Sequence, residues 1–450
     1  MYAVHYNAPG ITGAIEAFQV VCDMQLVADL HIHSKYSRAT STNMVIREIS
    51  TFAQLKGLQL VGTGDFTHPD WNGELKQELE EVEHTGILKP KDQRFRIHYV
   101  LSGEVCTLFE SGNKSRRIHH VILVPNFEVA DQIRDRLGRF GDLRSDGRPM
   151  LSMSAAELVE ETTSLSNQVF VFPAHIWTPW FSLFGAVGGF DSLEECYEDQ
   201  SGRISAVETG LSSDPPMNWR FGDLDRLAIV SNSDAHSPWP WRIGREATCV
   251  NLQELSYSEL ISAMSSRKSA RIQFTFEVDP AYGKYHWTGH RNCGVSMRAN
   301  DADKLRVICP KCGRKMTKGV DLRVEELADR PEGYTPDVGC VRFFHVLPLH
   351  ELIAAAIGLG EPSSKEVWEK YNKLVGKFGT ELNVMLEAPQ KELTEEIGIE
   401  IADLIMKVRG NLLYVTPGYD GTYGRIDLLH APKSRSHVEE RAKSRLDSYL

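Results

Sequence analysis

A chain of 450 residues with 42% hydrophobic side chains exceeds one average domain and holds enough apolar surface for a barrel-sized core, so two or three globular units are expected. No run approaches the roughly 18 uninterrupted apolar residues of a membrane span, and the N-terminus lacks a basic stretch leading into an apolar one, which argues against membrane insertion and export. Eight scattered cysteines lack the density of a disulfide scaffold, so a reducing cytoplasm is the expected setting.

Residues 1–23 precede the first strand signal and are expected to form a weakly packed N-terminal extension. From 24 to 277 strand and helix signals alternate, which predicts βαβ units, a largely parallel sheet and a distorted (β/α)7 or (β/α)8 barrel. The first strand runs into Ala28-Asp29-Leu30-His31-Ile32-His33, where spacing i, i+2 sets both imidazoles on one face. A helix over 44–56 follows, with Thr42 or Asn43 as N-cap and Gly57 closing it. Further strand-like runs end in Gly64-Asp65, Gly103-Glu104, His175, Glu208 and Asp234-Ala235-His236. Helices are expected from the capping box Ser154-Ala155-Ala156-Glu157 and over 256–265.

A lone histidine is usually an ordinary core or surface residue. Here His31, His33, Asp65, Glu104, His175, Glu208, Asp234 and His236 all fall where apolar runs end, and barrel folds collect such positions at one mouth. Phosphoester hydrolysis needs charge neutralised on phosphoryl oxygens and a hydroxide near neutral pH, and two or three clustered divalent ions provide both. Imidazoles mixed with carboxylates suit Zn, Mn or Fe better than Mg or Ca.

The segment 278–325 has little apolar periodicity. Between Lys284 and Lys318 nine Lys or Arg face only Asp301 and Asp303, inside a protein of net charge −11. His290-x-x-Cys293 and Cys309-Pro310-Lys311-Cys312 carry the spacing of one structural zinc site, with His286 the alternative to His290. The excess positive charge points to phosphate-backbone contact, and Lys311 and Arg314 are candidates for it. From 326 to 450 a mainly helical unit is expected, with helices over 349–357, 364–374 and 394–408, a strand over 412–415 and a glycine-rich turn containing Tyr419 and Tyr423.

His31-x-His33, Gly64-Asp65, Gly103-Glu104, His120 before Val121-Ile122-Leu123-Val124, His175, Glu208 and Asp234-x-His236 together resemble the PHP (polymerase and histidinol phosphatase) metallophosphoesterases. That resemblance implies a (β/α)7 barrel with a trinuclear site, in which His68 and His120 join the ligands and the whole set is catalytic; His119 competes with His120, which is preferred. The family's Ser-Asp-Gly after His-x-His is replaced by Ser37-Arg38-Ala39, which makes Arg38 a candidate phosphate contact.

Gly283-Lys284-Tyr285-His286-Trp287-Thr288-Gly289-His290, Val324-Glu325-Glu326-Leu327-Ala328-Asp329-Arg330-Pro331 and Pro417-Gly418-Tyr419-Asp420-Gly421, behind such a barrel, resemble the endonuclease Q group. The resemblance implies a DNA-repair nuclease cutting 5′ to uracil, hypoxanthine, xanthine or an abasic site, with DNA as partner and room for a replication or repair protein as another. Trp177 and Trp180, beside His175, are candidates to wall a base pocket or wedge the duplex, Arg242 and Arg245 to hold flanking phosphates, and Tyr419 and Tyr423 to stack. A phosphatase of small phosphomonoesters and a non-catalytic DNA-binding scaffold are the alternatives.

Overall fold

The computed structural model describes residues 24–267 and 270–427, so the expected extension 1–23 and the end of the C-terminal unit lie outside the described residues. Strand Met24–Asp29 runs parallel to Leu60–Gly62, and that strand runs parallel to His98–Ser111. Next come Lys114–Val124 and Phe170–Pro173. The backbone amide of Ile176 reaches Glu208 O at 3.1 Å, joining strand Ala206–Glu208, which pairs with Ala228–Val230. An Ile32–Ala235 bridge returns the ring to its start, so these strands enclose a distorted seven-stranded barrel.

One strand breaks the expected parallel order. Ser111 and Lys114 are paired across Gly112 and Asn113, with φ of 58° and 57°. Two consecutive positive φ values make the two-residue turn that matches strand twist, so His98–Ser111 and Lys114–Val124 form an antiparallel hairpin. Strand Ala247–Leu252 also pairs antiparallel with Met24–Asp29.

Side-chain alternation separates two cores. Leu26, Ala28, Leu60, Val100, Val121, Leu123, Phe170, Phe172, Ala206, Ala228 and Val230 pack together inside the barrel. Val61, Tyr99, Leu101, Ile122, Val171, Val207 and Ile229 join the surrounding helices in the outer layer. Helix Ile46–Lys56 begins after Val45, two residues later than the expected start, with no side-chain cap; it ends at Gly57, φ 106°. The capping box of Ser154 and Glu157 is present at helix Ala155–Thr163.

The C-terminal helices have their own core around Leu352, Tyr371, Leu374, Leu393 and Ile405. The helix expected over 394–408 is two helices, Gln390–Ile397 and Ile399–Arg409, because Gly398 takes φ 92° between them. A buried ion pair, Lys56 Nζ to Glu381 Oε1 at 2.7 Å, ties these helices to the barrel, and the same ammonium donates to Pro240 O at 2.9 Å. Among the described residues no helix is long and apolar enough to cross a membrane.

Candidate metal centre

His31 and His33, just past strand Met24–Asp29, Asp234, past Ala228–Val230, and Glu104, midway along His98–Ser111, come together with one ligand atom from each within 4.8 Å of all the others. Glu104, His119 and His175 form a second group within the same limit, so Glu104 belongs to both. His31 Nε2 and His119 Nδ1 are buried without a hydrogen-bond partner. They nevertheless face Glu104 Oε1 at 3.6 and 2.7 Å. Buried nitrogen lone pairs aimed at a carboxylate without hydrogen-bond geometry fit shared cations, and the His and carboxylate donors match zinc or manganese.

Asp65 and Glu208 stand one layer back. Asp65 Oδ1 lies 3.1 Å from His33 Nδ1, while Oδ2 accepts from Ser34 N and Oγ, both at 2.6 Å, and from Ser37 Oγ at 2.9 Å. Glu208 Oε2 lies 3.0 Å from His31 Nδ1 and accepts from His175 N at 2.8 Å. Each carboxylate therefore sets the tautomer of an imidazole whose other nitrogen faces the cluster. Asp65, His175 and Asp234 have φ of 48°, 32° and 47°, a left-handed backbone that non-glycine residues adopt at a cost of about 1–3 kcal/mol and that recurs at functional sites.

The cluster is electrostatically unbalanced without cations. Burial alone would lower the His33 pKa, but Asp234 and Asp65 raise it to about 9, and Glu208 and Glu104 likewise hold His31 well above its ordinary value. Glu104 is driven up by burial yet held well below the carboxylate range by His119, His31 and Arg148. Positive charge is thus drawn to this point.

Besides Asp65 and Glu208, expected as ligands but placed behind the imidazoles, two further expected ligands lie elsewhere. His120 points into the outer layer, its ring 5.7 Å from that of Tyr197, with both nitrogens buried and unpartnered. The strand register explains the exchange with His119: Cys106 pairs with His119 and Glu104 with Val121 on the inner face, leaving His120 opposite Val105 on the other. Burial lowers the His120 pKa to about 3. His68 caps helix Pro69–Glu78, stacks on Tyr36 at 4.3 Å and sits 3.3 Å from Arg144 O, so its nitrogens are occupied outside the cluster. His236 stands at the rim, its ring 4.4 Å from that of His33 and Nδ1 2.9 Å from Asp234 O.

These placements predict opposite outcomes for adjacent histidines. His119→Ala is expected to lower turnover about 10²–10³-fold with little change in melting, since it strips an electrostatic stabiliser. His120→Ala is expected to keep turnover within a few-fold and lose about 1–3 kcal/mol of stability. Parallel rate and melting measurements decide between them; equal activity losses would overturn the assignment.

Several contributors carry no strand-end pattern. Arg148 Nη1 lies 3.3 Å from Glu104 Oε2. It reaches there because Gly147 packs on the site, where a Cβ would meet Asp65 Oδ2 at 2.3 Å and Ser37 Oγ at 2.5 Å. The polar run Arg144-Ser145-Asp146-Gly147-Arg148 is the sequence signal that could have marked this loop. Asp29 accepts from Ser233 N at 3.0 Å and Oγ at 2.6 Å, and from Gly244 N at 2.8 Å, fixing the loop that carries Asp234. Asn232 bridges Leu30 N and Glu208.

His290, Cys293, Cys309 and Cys312 also gather within 4.8 Å, so His290 and not His286 faces the thiols. Desolvation opposes ionisation of Cys309, but the backbone amides of Lys311 and Cys312 and the side chain of His290 bring its pKa down to about 6. Amides directed at a thiolate sulfur make this donor set fit structural zinc.

The residues proposed for DNA contact are dispersed. Trp177 is fully buried, donates to Asn218 Oδ1 at 2.7 Å and packs on Phe184 and Phe221, which removes it from any base pocket. Trp180 and Phe181 are 39% and 36% exposed and line an open groove of about 470 Å³ with Lys114, Arg117 and Val187. The Phe181 ring lies 5.4 Å from that of His119. Arg38 is exposed and 3.4 Å from Asp146, Arg242 is 3.9 Å from Glu351, and Arg245 donates to Ser233 O at 3.0 Å. Lys311 and Arg314 are exposed on the zinc-ligand segment. Tyr419 packs over Gly289, and Tyr423 is exposed with Lys284 Nζ 4.7 Å from its ring centre.

Residues 348–411 match the family model of the MJ0043 C-terminal domain. MJ0043 of Methanocaldococcus jannaschii is 34% identical over 261 residues, which are 56% of this chain and 31% of that protein, so the chain spans about a third of its length. YqxK of Bacillus subtilis is 30% identical over 419 residues, 89% of this chain and 99% of its own. Among solved structures, the lesion-specific endonuclease PfuEndoQ from Pyrococcus furiosus superposes with a TM-score of 0.79 at 31% identity, covering 93% of this chain and 99% of that one. Endonuclease Q in complex with a 27-mer duplex bearing an abasic lesion at the active site superposes with a TM-score of 0.78 at 32% identity, covering 93% of this chain and all of that one. With these solved relatives matched almost end to end above 30% identity, the chain belongs to the endonuclease Q family.

Proposed function

We propose that this protein is a metal-dependent DNA-repair endonuclease that hydrolyses the phosphodiester bond 5′ to a deaminated base or an abasic site. One observation carries the reading: a single buried carboxylate, Glu104, is shared by two ligand groups in a chain matched almost end to end by an endonuclease Q seen with an abasic duplex.

His31, His33, Glu104 and Asp234 would hold one ion, and Glu104, His119 and His175 another, with His236 at the rim. Ions of zinc or manganese supply Lewis acidity toward the phosphoryl oxygens and a nucleophilic hydroxide near neutral pH. Asp65 and Glu208 keep His33 and His31 oriented. Arg148, already beside Glu104, orients a phosphoryl oxygen, for which a guanidinium is well shaped. Phe181 and Trp180 offer stacking surface next to His119, while Lys114 and Arg117 supply charge for the neighbouring backbone.

Cleavage mapping tests the proposal. Duplexes carrying uracil, hypoxanthine or an abasic site are expected to be cut on the 5′ side of the lesion, leaving 3′-hydroxyl and 5′-phosphate ends, and chelator is expected to stop the cut. Hydrolysis of small phosphomonoesters with every lesion duplex left intact would overturn it.

A further inference from the structure

We propose that the tip of the zinc-ligand segment, residues 304–308, is an aliphatic wedge that enters a base step of the duplex near the lesion. The inference rests on the DNA-directed reading above and adds to it a contact surface away from the metal centre.

Helix Ala299–Lys304 ends without a glycine, and the chain reverses through Arg306 and Val307 at φ of 50° and 58°. A β-branched residue in the left-handed region is a genuine outlier, so the surroundings must hold this backbone in place. They do so at both ends. Arg306 N donates to Asp303 O at 2.8 Å and Val307 N to Ala302 O at 2.9 Å, while Met316 N donates to Val307 O at 2.8 Å. Ile308 also pairs with Lys315, and zinc ligand Cys309 follows directly.

The strained turn sorts the side chains. Val307 packs on the two small clusters of the segment, one of Val295, Cys309 and Met316, the other of Ala299, Ala302 and Leu322. Leu305 and Ile308 are left 40% exposed on either side of it. Lys304 and Arg306 flank Leu305 in the chain, Lys315 pairs with Ile308, and Lys311 and Arg314 follow on the same segment, all exposed; Asp301, one of the two acids between Lys284 and Lys318, is paired with Lys304 at 3.2 Å.

Two aliphatic side chains offer too little area for a protein interface, which takes roughly 800 Å² per partner. A rigid pair of them ringed by cations suits DNA: leucine and isoleucine are among the residues that unstack a base step from the minor groove, and lysine and arginine hold the flanking phosphates. The segment is anchored to the active-site loop. Arg323 donates to Phe184 O at 3.0 Å and Phe190 O at 2.9 Å, and Tyr285 packs edge-on against Trp180 at 5.0 Å. A kink made at the tip is therefore carried by the same body that follows His175, and it lowers the cost of turning a nucleotide out of the stack.

The full chain with Leu305→Ala and Ile308→Ala tests this on matched duplex and single-stranded abasic substrates, with 2-aminopurine placed near the lesion. The expected result is a loss of about tenfold or more in kcat/KM on duplex, since each 1.4 kcal/mol is tenfold, a change within about twofold on single strands, and loss of the 2-aminopurine brightening seen with the unsubstituted chain. Leu305→Met with Ile308→Met is expected to restore both, and zinc content should be unchanged throughout. If the alanine pair loses zinc, the single variant Leu305→Gln replaces it with the same expectations. Unchanged duplex kinetics and brightening would overturn the wedge, as would an equal loss on single strands. Failure of the unsubstituted chain to act on either substrate would instead remove the DNA reading beneath it.

Discussion

Replacing Glu104 with glutamine is expected to lower lesion cleavage by about 10³-fold or more while the barrel stays folded. The carboxylate belongs to both ligand groups, and His31, His119, His175 and Arg148 all lean on its charge. Glutamine keeps the volume and removes the charge, so the imidazoles and the guanidinium lose a common counterion where cations must sit. Loss of one preorganised electrostatic group costs about 10²–10³-fold in many active sites, and a residue proposed to serve two ions should exceed that. Single-turnover rates together with elemental analysis check the claim. Wild-type activity at wild-type metal content in Glu104→Gln would separate the cluster from the chemistry.

The other large effect is expected from Cys309→Ser. Apart from Val320 and Val324, which join the barrel's outer core, the segment around it packs Val295, Cys309 and Met316 in one small cluster and Ala299, Ala302 and Leu322 in another, too little to offset the conformational entropy of its loops. Zinc held by the proposed ligands would supply the difference, since its binding energy is folding energy in such sites. The variant should bind one zinc fewer per chain, lose amide protection across 288–316 and bind DNA more weakly with a shallower salt dependence, because the cations are no longer displayed together. The barrel should melt close to its original temperature, since of its two cores this segment contributes Val320 and Val324 to the outer one and both lie outside the clusters around Cys309. Full zinc content with protected amides would show that the thiol is not a ligand.

These effects fall on residues of differing legibility. Glu104 stood out because it follows the apolar run Val100-Leu101, although its strand continues to Ser111 and carries it past the barrel mouth into the hairpin. Cys309 stood out because knuckle spacing is local and survives any tertiary arrangement. His119 and His120 could not be separated this way. Both precede a run in which Val121, Leu123, Ile122 and Val124 are all buried, so neither phase of the alternation marks an inner face. The hairpin decided it, by pairing Cys106 with His119, and that hairpin depends on the turn at Gly112 and Asn113. Trp177 shows the converse error: adjacency to a ligand in sequence placed it near the site, while burial against Asn218 and Phe184 placed it in the core.

Residue identity and spacing alone brought out His31, His33, Glu104, His175 and Asp234 as a candidate set and one basic zinc-type segment, because strand period and knuckle spacing are short-range properties. Tertiary structure alone decided which imidazoles reach the shared carboxylate, that Asp65 and Glu208 act behind them, and that Arg148 joins from a distant loop. Those choices depend on cross-strand register and loop closure, where a shift of one residue turns every side chain to the opposite face.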